Sequence, residues 1–172
     1  MPKGLTKTSS TVSIGFSVPE SGANTFTQSE IDLNLSPLDR EVFVVQAINI
    51  DPEVPDNASG NGNSFVNCSL TSTSKTAVAT LADANCLAVA QIRIQQDADG
   101  AFGPVLAQQQ SLETPPSTMD YIGIIATNDF YVQVLGAGNN AKKGCSGKLY
   151  GYRARADADI YAALVQSEAL AA

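Results

Sequence analysis

The chain has 172 residues, a length that suits one domain, and 44% of them are hydrophobic, which is enough for a packed core. It carries 10 basic and 17 acidic residues, and this net charge of −7 disfavours binding to a nucleic-acid backbone through a basic face. It contains no histidine and no tryptophan. These absences exclude Ser–His–Asp and Cys–His catalysis and histidine-ligated metal sites.

The first half of the chain is predicted to be rich in strands. Residues 1–10 are polar and lack periodicity, which predicts a flexible N-terminal arm. Beyond it, alternating apolar residues or β-branched runs predict five strands, at 11–18, 26–35, 41–50, 65–70 and 76–81. The third is dense enough in Val, Ile and Phe to be a central strand covered on both faces. Recurrent Ala in the fifth leaves a helix start open as an alternative.

The second half continues the pattern and ends differently. Apolar runs predict further strands at 86–95, 121–126, 129–135 and 148–155, with a short one at 105–106. Thr127-Asn128 predicts a tight hairpin or a bulged bend between two of them. Asp157 and Asp159 precede apolar residues at helical spacing, including Ile160 and Leu164, which predicts a short helix at about 158–170.

Two long polar stretches, 51–64 and 96–118, separate the predicted strands. Eight or nine short strands, turn signals between them and one terminal helix are typical of an all-β sandwich. We therefore predict an eight-stranded antiparallel jelly-roll β-sandwich, a single domain over 11–172 with a short C-terminal helix. An immunoglobulin-like sandwich would give a similar sequence pattern, so the strand order stays open at this point.

The three cysteines, Cys68, Cys86 and Cys145, are odd in number and widely spaced. We expect free thiols, with one disulfide and a leftover thiol as the alternative. The N-terminal segment lacks the apolar stretch of a secretory signal, and no run of 18 apolar residues occurs. We therefore expect synthesis in a host cytoplasm.

Two acidic clusters are candidate cation sites. Asp97-Ala98-Asp99-Gly100 has the start of a calcium loop, but Ala101 and Gln108 stand where that loop needs oxygen ligands. A plain turn is therefore the favoured interpretation.

Asp51, Glu53 and Asp56 form the second cluster, and we interpret them as solvated loop carboxylates. Arg153 and Arg155 lie on one face of the last predicted strand and indicate either an ion-pair seam between subunits or pairing within the chain, which we favour. No catalytic, cofactor-binding or metal-binding residue is assigned, and we expect no enzyme activity and no cofactor.

Two segments carry a resemblance to a known family. YIGIIATNDFYVQVL (121–135) and GKLYGYRARADADIYAALVQSE (147–168) are similar to the C-terminal part of single-jelly-roll major capsid proteins of tailless microbial viruses, including marine ones. The resemblance covers about a quarter of the chain. It implies a virion coat protein without an active site, repeated in an icosahedral shell. Its partners would be copies of itself, with a second capsid protein or an internal membrane as further partners.

Other functions stay open beside the capsid hypothesis. A virion decoration or spike-base protein would bind a pre-formed shell. A surface-layer or filament subunit could assemble through donor-strand pairing of residues 1–10, although no secretion signal supports it. A carbohydrate-binding module is disfavoured because tryptophan is absent. The net charge of −7 argues against direct contact with the genome.

Overall fold

The computed structural model describes residues 2–56, 62–95, 103–109, 111–114 and 119–171, and these residues contain eleven strands and one helix. The elements are β1 Leu5–Lys7, β2 Val12–Pro19, β3 Thr27–Asp32, β4 Glu41–Pro52, β5 Ser64–Thr71, β6 Cys86–Gln95, β7 Val105–Gln109, β8 Ser111–Glu113, β9 Gly123–Ile125, β10 Asp129–Ala137, β11 Gly144–Ala156 and α1 Ala158–Leu170.

The strands form two antiparallel sheets in the jelly-roll order. In the first sheet, the central strands β4 and β11 pair with each other. The other side of β11 pairs with β1 along one part of its length and with β2 along another. The other side of β4 pairs with β8 and β9 in the same way. The second sheet runs β3-β10-β5-β6-β7. Numbering β2–β6 and β9–β11 as strands 1 to 8 gives the orders 1-8-3-6 and 2-7-4-5.

This order confirms the predicted jelly-roll sandwich and excludes the immunoglobulin-like alternative. In the immunoglobulin fold, the first two strands pair with each other in one sheet. Here β2 and β3 lie in different sheets, as do β9 and β10. The described chain therefore has eight of the nine longer predicted strands, a strand β7 at the predicted short strand 105–106, and two additional short strands, β1 and β8.

A β-bulge divides the longest pairing of the sandwich. β4 and β11 pair from Glu41–Arg155 to Pro52–Cys145, and the register shifts so that Gln46 has no partner on β11. Because side chains alternate along a strand, one extra residue moves the following positions to the opposite face. This places Ile48 and Ile50 on the same core-facing side as Phe43 and Val45.

The main core lies between the two sheets. It is built from buried aliphatic and aromatic side chains of both sheets, namely Val18, Leu33, Leu35, Phe43, Val45, Ile48, Ile50, Val66, Cys68, Leu70, Ala88, Ala90, Ile125, Phe130, Val132, Val134, Cys145 and Leu149. Phe16 packs edge-to-face on Phe130, with ring centroids 6.0 Å apart. Alternating inward positions on the strands supply most of this core, as the sequence periodicity predicts.

A second, smaller core lies on the outer face of the first sheet, under α1. Val42 and Val44 of β4, with neighbouring residues of β11, pack there against Ile160, Tyr161 and Leu164 of the helix. The predicted central strand is therefore covered on both faces over its first half, and the C-terminal helix is confirmed. The packed face of the helix differs from the expected one, because Ala163 is exposed and Tyr161 contacts the sheet.

Several local predictions were wrong. Residues 5–7 form β1, paired with β11, and Leu5 is buried, so this part of the expected flexible arm belongs to the sandwich. Residues 76–81 contain no strand. The bend at Thr127-Asn128 joins strands of different sheets, so it is not a hairpin. In the stretch 96–118, the predicted short strand at 105–106 is confirmed as part of β7, whereas β8 was not predicted.

Candidate assembly surfaces

The candidate calcium loop, Asp97 to Gly100, lies outside the described residues. Among the residues that are described, no group of three or more Cys, Asp or Glu side chains is arranged to hold a metal ion. Asp56 bonds instead to Lys143, whose Nζ lies 2.6 Å from Oδ1, and its Oδ2 accepts hydrogen bonds from the backbone N–H groups of Asn140 and Ala141. The hydrogen bond from Lys143 is the main cause that lowers the pKa of Asp56.

Glu53 acts in a similar way. Its Oε2 accepts a hydrogen bond from the backbone N–H of Gly144 at 3.1 Å. Glu53 and Asp56 therefore bind the loop between β10 and β11 to the end of β4, and the interpretation of both as merely solvated carboxylates was wrong. Their partners lie nearly ninety residues away in sequence, which local patterns do not reveal.

A buried carboxylate organises the same end of the sandwich. Glu20 is 2% exposed. Its Oε1 accepts a hydrogen bond from the backbone N–H of Gly136 at 2.6 Å. Its Oε2 accepts hydrogen bonds from the backbone N–H groups of Lys143 at 3.0 Å and Asn24 at 3.3 Å. A carboxylate that accepts several backbone hydrogen bonds can replace much of its lost hydration. Glu20 directly follows β2 and was not identified from the sequence as a candidate site residue, so this anchor was missed.

Asn139 completes the network. Its side-chain oxygen accepts from the backbone N–H of Asp56, and its amide nitrogen donates to the carbonyl of Phe65. Asn24 and Asn139 also exchange hydrogen bonds between side chain and backbone, at 2.8 and 2.9 Å. Three turns that are distant in sequence are thus held together, which makes this end of the molecule a defined surface.

The two arginines of β11 pair within the chain, as we favoured. Arg153 donates to the carbonyl of Leu33 at 2.9 Å and lies 3.9 Å from Glu41. Arg155 lies 3.6 Å from Asp39, with both side chains more than half exposed. An exposed ion pair of this kind contributes little stability.

Cys68 and Cys145 are free thiols, as predicted. Cys68 of the second sheet and Cys145 of the first sheet are buried in the core between the sheets. Hydrogen bonding to Cys145, together with burial, raises the pKa of the Cys68 thiol. A neutral, buried thiol reacts slowly, so these residues act as small apolar core side chains.

Glu168 fixes the C-terminal helix to the sandwich. Its side chain is buried, and Oε2 accepts hydrogen bonds from the backbone N–H groups of Ala126 at 3.1 Å and Thr127 at 2.8 Å. Burial raises the pKa of Glu168, and the hydrogen bonds to Thr127 and Ala126 partly oppose the shift. Lys75 also donates to the carbonyl of Ala171 just beyond the helix. This anchor was not predicted from the sequence, since an acidic residue in the last turns of a helix is unfavourable to the helix dipole.

The segment 72–85 covers part of the outer face of the second sheet. Beneath it, the buried amide of Gln133 donates to Thr71 and Gln28 and accepts from Ser69. The backbone N–H of Ala79 donates to the Ser69 hydroxyl at 2.9 Å. The backbone N–H of Thr80 likewise donates to Asp83 Oδ2 at 2.8 Å. Two backbone donors of 76–81 therefore bond to side chains rather than to a neighbouring strand.

Beyond this segment the second sheet has only shallow features within the described residues. A groove of about 290 Å³ lies beside 78–81, and its lining contains no acidic or basic side chain. A second groove follows β6 and β7, where Arg93 lies over the ring of Phe65, 5.5 Å from its centroid. The first groove is lined by uncharged residues, including Cys68, and the second has one charged side chain in its lining, Arg93.

The edge strand β7 is the most open element of the described chain. All five of its residues are exposed, including Val105 at 62% and Leu106 at 58%. The sequence predicted a short strand at 105–106, but not its position at a sheet edge. No helix in the described residues is long and apolar enough to span a membrane.

No family model and no curated protein matches this chain. A solved structure from Desmodium yellow mottle tymovirus aligns with 92% of this chain and 95% of its own, at 10% identity and a TM-score of 0.28. A likeness this distant carries no argument about function. The functional hypothesis must therefore stand on this chain's own topology and surfaces.

Proposed function

We propose that this chain is a structural subunit of a viral capsid that associates with copies of itself, and that it is not an enzyme. The observation that carries the proposal is the strand order, 1-8-3-6 in one sheet and 2-7-4-5 in the other. This jelly-roll order is found in virus capsids, lectins and cupins. The choice among these classes depends on the side chains.

The side-chain composition favours the capsid. A metal enzyme on this scaffold would ordinarily need histidine, the commonest metal ligand, and the chain has none. A sugar-binding site usually stacks the ligand on an aromatic ring, yet the chain lacks tryptophan, and the two grooves described above contain no aromatic side chain. Long polar loops and exposed edges suit repeated contacts between subunits instead.

The resemblance to single-jelly-roll capsid proteins supports the same function. Its two segments correspond to β9 and β10 and to most of β11 with α1, which together supply four of the packed elements of the sandwich. On this proposal the protein is located in the virion after synthesis in a host cytoplasm, and its copies form an icosahedral lattice. A second capsid protein or an internal membrane would be a further partner, and the acidic chain would not contact the genome.

The filament hypothesis loses its main support. Donor-strand exchange through residues 1–10 needs a free N-terminal strand, whereas Leu5–Lys7 already pair with β11 of the same chain. A decoration protein remains the competing function, since it would share the fold but bind a shell made by another protein.

The proposal is tested by measuring the mass of the purified chain by light scattering over a wide range of concentration and salt. Negative-stain microscopy of the same fractions would identify the particles. We expect concentration-dependent oligomers, sheets or closed shells. A strict monomer at the highest concentration would contradict self-assembly and favour the decoration function.

A further inference from the structure

The two sheets end in six edge strands, and five of them carry features that hinder pairing with another chain. The edge strand β3 carries Glu30 and Asp32, and β1 ends in Lys7. The strands β8 and β9 have three residues each, and β2 ends in Pro19, which lacks an N–H donor. Charges, prolines and shortness are the usual protections of a sheet edge.

The sixth edge strand, β7, is five residues long and contains no charge and no proline, although Pro104 directly precedes it. It reads VLAQQ, and the stretch 103–112 around it contains no charged residue. It pairs with β6 on one side, from Gln91–Gln109 to Gln95–Val105. On its other side the described residues supply no backbone hydrogen-bond partner. An edge strand whose outer N–H and C=O groups have no partner among the described residues is a template for one further strand.

The side chains of β7 also lack a cover. Leu106 is paired with Ile94, so it lies on the core-facing side of the second sheet, yet it is 58% exposed. Val105 lies on the opposite side and is 62% exposed. The sandwich is therefore open at this edge, and an added strand would extend the sheet over both apolar side chains.

We propose that β7 pairs antiparallel with β7 of a second copy across a two-fold axis, joining the two second sheets into one continuous sheet. The inference rests on the proposed self-associating function and names its contact. A second copy fits this edge because two β7 strands related by a two-fold axis run antiparallel and can each offer the same row of backbone groups. The repulsion between two chains of net charge −7 is weakest at a neutral strand, so β7 is where two copies approach at least cost. In an antiparallel pair, opposite residues share a face, so both copies of Leu106 would lie on the core-facing side.

The test compares two lysine variants with a matched control. Val105→Lys and Leu106→Lys each place like charges across the proposed axis, whereas Val54→Lys changes an equally exposed valine, also at 62%, that is not in a strand. Dimerisation would be measured by sedimentation over a concentration series, with circular dichroism and melting curves to verify the fold. We expect each β7 variant to weaken dimerisation at least about tenfold, and the control to dimerise like the wild type.

A second measurement does not depend on any substitution. Hydrogen exchange of residues 103–109 in the wild-type chain should slow as concentration rises, because free edge amides become bonded. Added salt should strengthen the contact by screening the net repulsion. If the wild type associates but the β7 variants associate equally well and this segment gains no protection, the β7 contact is refuted and the capsid proposal stands. A wild type that stays monomeric refutes both.

Discussion

Replacing Glu168 tests whether one buried carboxylate fixes the C-terminal helix. In Glu168→Ala, the backbone N–H groups of Ala126 and Thr127 lose their acceptor. An unsatisfied buried donor costs about 1–3 kcal/mol; Ala126 is buried, whereas Thr127 is half-exposed and can bond to water. Removing a carboxylate whose burial is unfavourable offsets part of this loss. We expect a net loss of about 2 kcal/mol at pH 7, or a melting temperature about 4–8 °C lower for a chain of this size.

The assay is urea and thermal unfolding followed by circular dichroism. The matched control is Gln166→Ala, an exposed helix position two residues away, which should change stability by less than about 0.5 kcal/mol. If Glu168→Ala unfolds like this control, the two hydrogen bonds do not anchor the helix and the reasoning is refuted.

The pH dependence of Glu168→Gln gives an independent test of the same anchor. The folded-state pKa of Glu168 is raised above its ordinary value of 4.5, so folding favours the neutral form. The contribution of this group to stability is therefore complete below pH 4.5 and decreases as pH rises through the folded value. Glutamine keeps an acceptor without the charge. We expect its stability relative to wild type to improve between pH 4 and pH 7, and a difference that is independent of pH would contradict the raised pKa.

Three further changes test other features. Glu20→Ala removes the acceptor of three backbone N–H groups and should lower the free energy of unfolding by about 3 kcal/mol, measured by urea titration. Glu20→Gln keeps one acceptor oxygen and should lose less stability than Glu20→Ala. Gly151→Ala should destabilise the core, because a Cβ there would meet the carbonyl oxygen of Val44, and an unchanged urea midpoint would contradict this packing. Asp56→Asn should reduce the loss of stability on acidification. The reason is that the hydrogen bond from Lys143 lowers the pKa of Asp56, so the stabilisation by this carboxylate is lost as pH falls through the lowered pKa. Parallel acid titrations of variant and wild type would show no difference if the pair were unimportant.

The strands were predictable wherever one face is buried and the other is not. The apolar alternation at 11–18 and 86–95 correctly predicted β2 and β6, because successive side chains of a strand point to opposite faces of the sheet. The strand β4 was predicted from a continuous apolar run instead. Its apolar residues occupy both faces because one face packs in the main core and the other packs in the smaller core under α1. The bulge at Gln46 was not predicted, because a bulge is fixed by the partner strand.

The anchors of the candidate surfaces were not predictable from local patterns. Glu20 bonds to residues more than a hundred positions away, and Glu168 bonds to a bend about forty positions earlier. The apolar run 76–81 failed as a strand for a related reason, because its backbone bonds to side chains of the second sheet. The edge position of β7 likewise depends on the order of all strands in its sheet. Sequence periodicity describes burial, whereas these features depend on which distant segments meet.

The bulge at Gln46 also determines how this chain can be compared with other jelly rolls. A relative whose equivalent strand lacks the bulge would have one residue fewer between the two apolar pairs Phe43/Val45 and Ile48/Ile50. Aligned without a gap, such a strand would set core positions of one protein against outward positions of the other along half its length. A single-residue gap at position 46 would restore the correspondence, and insertions of two residues there would leave the two faces unchanged.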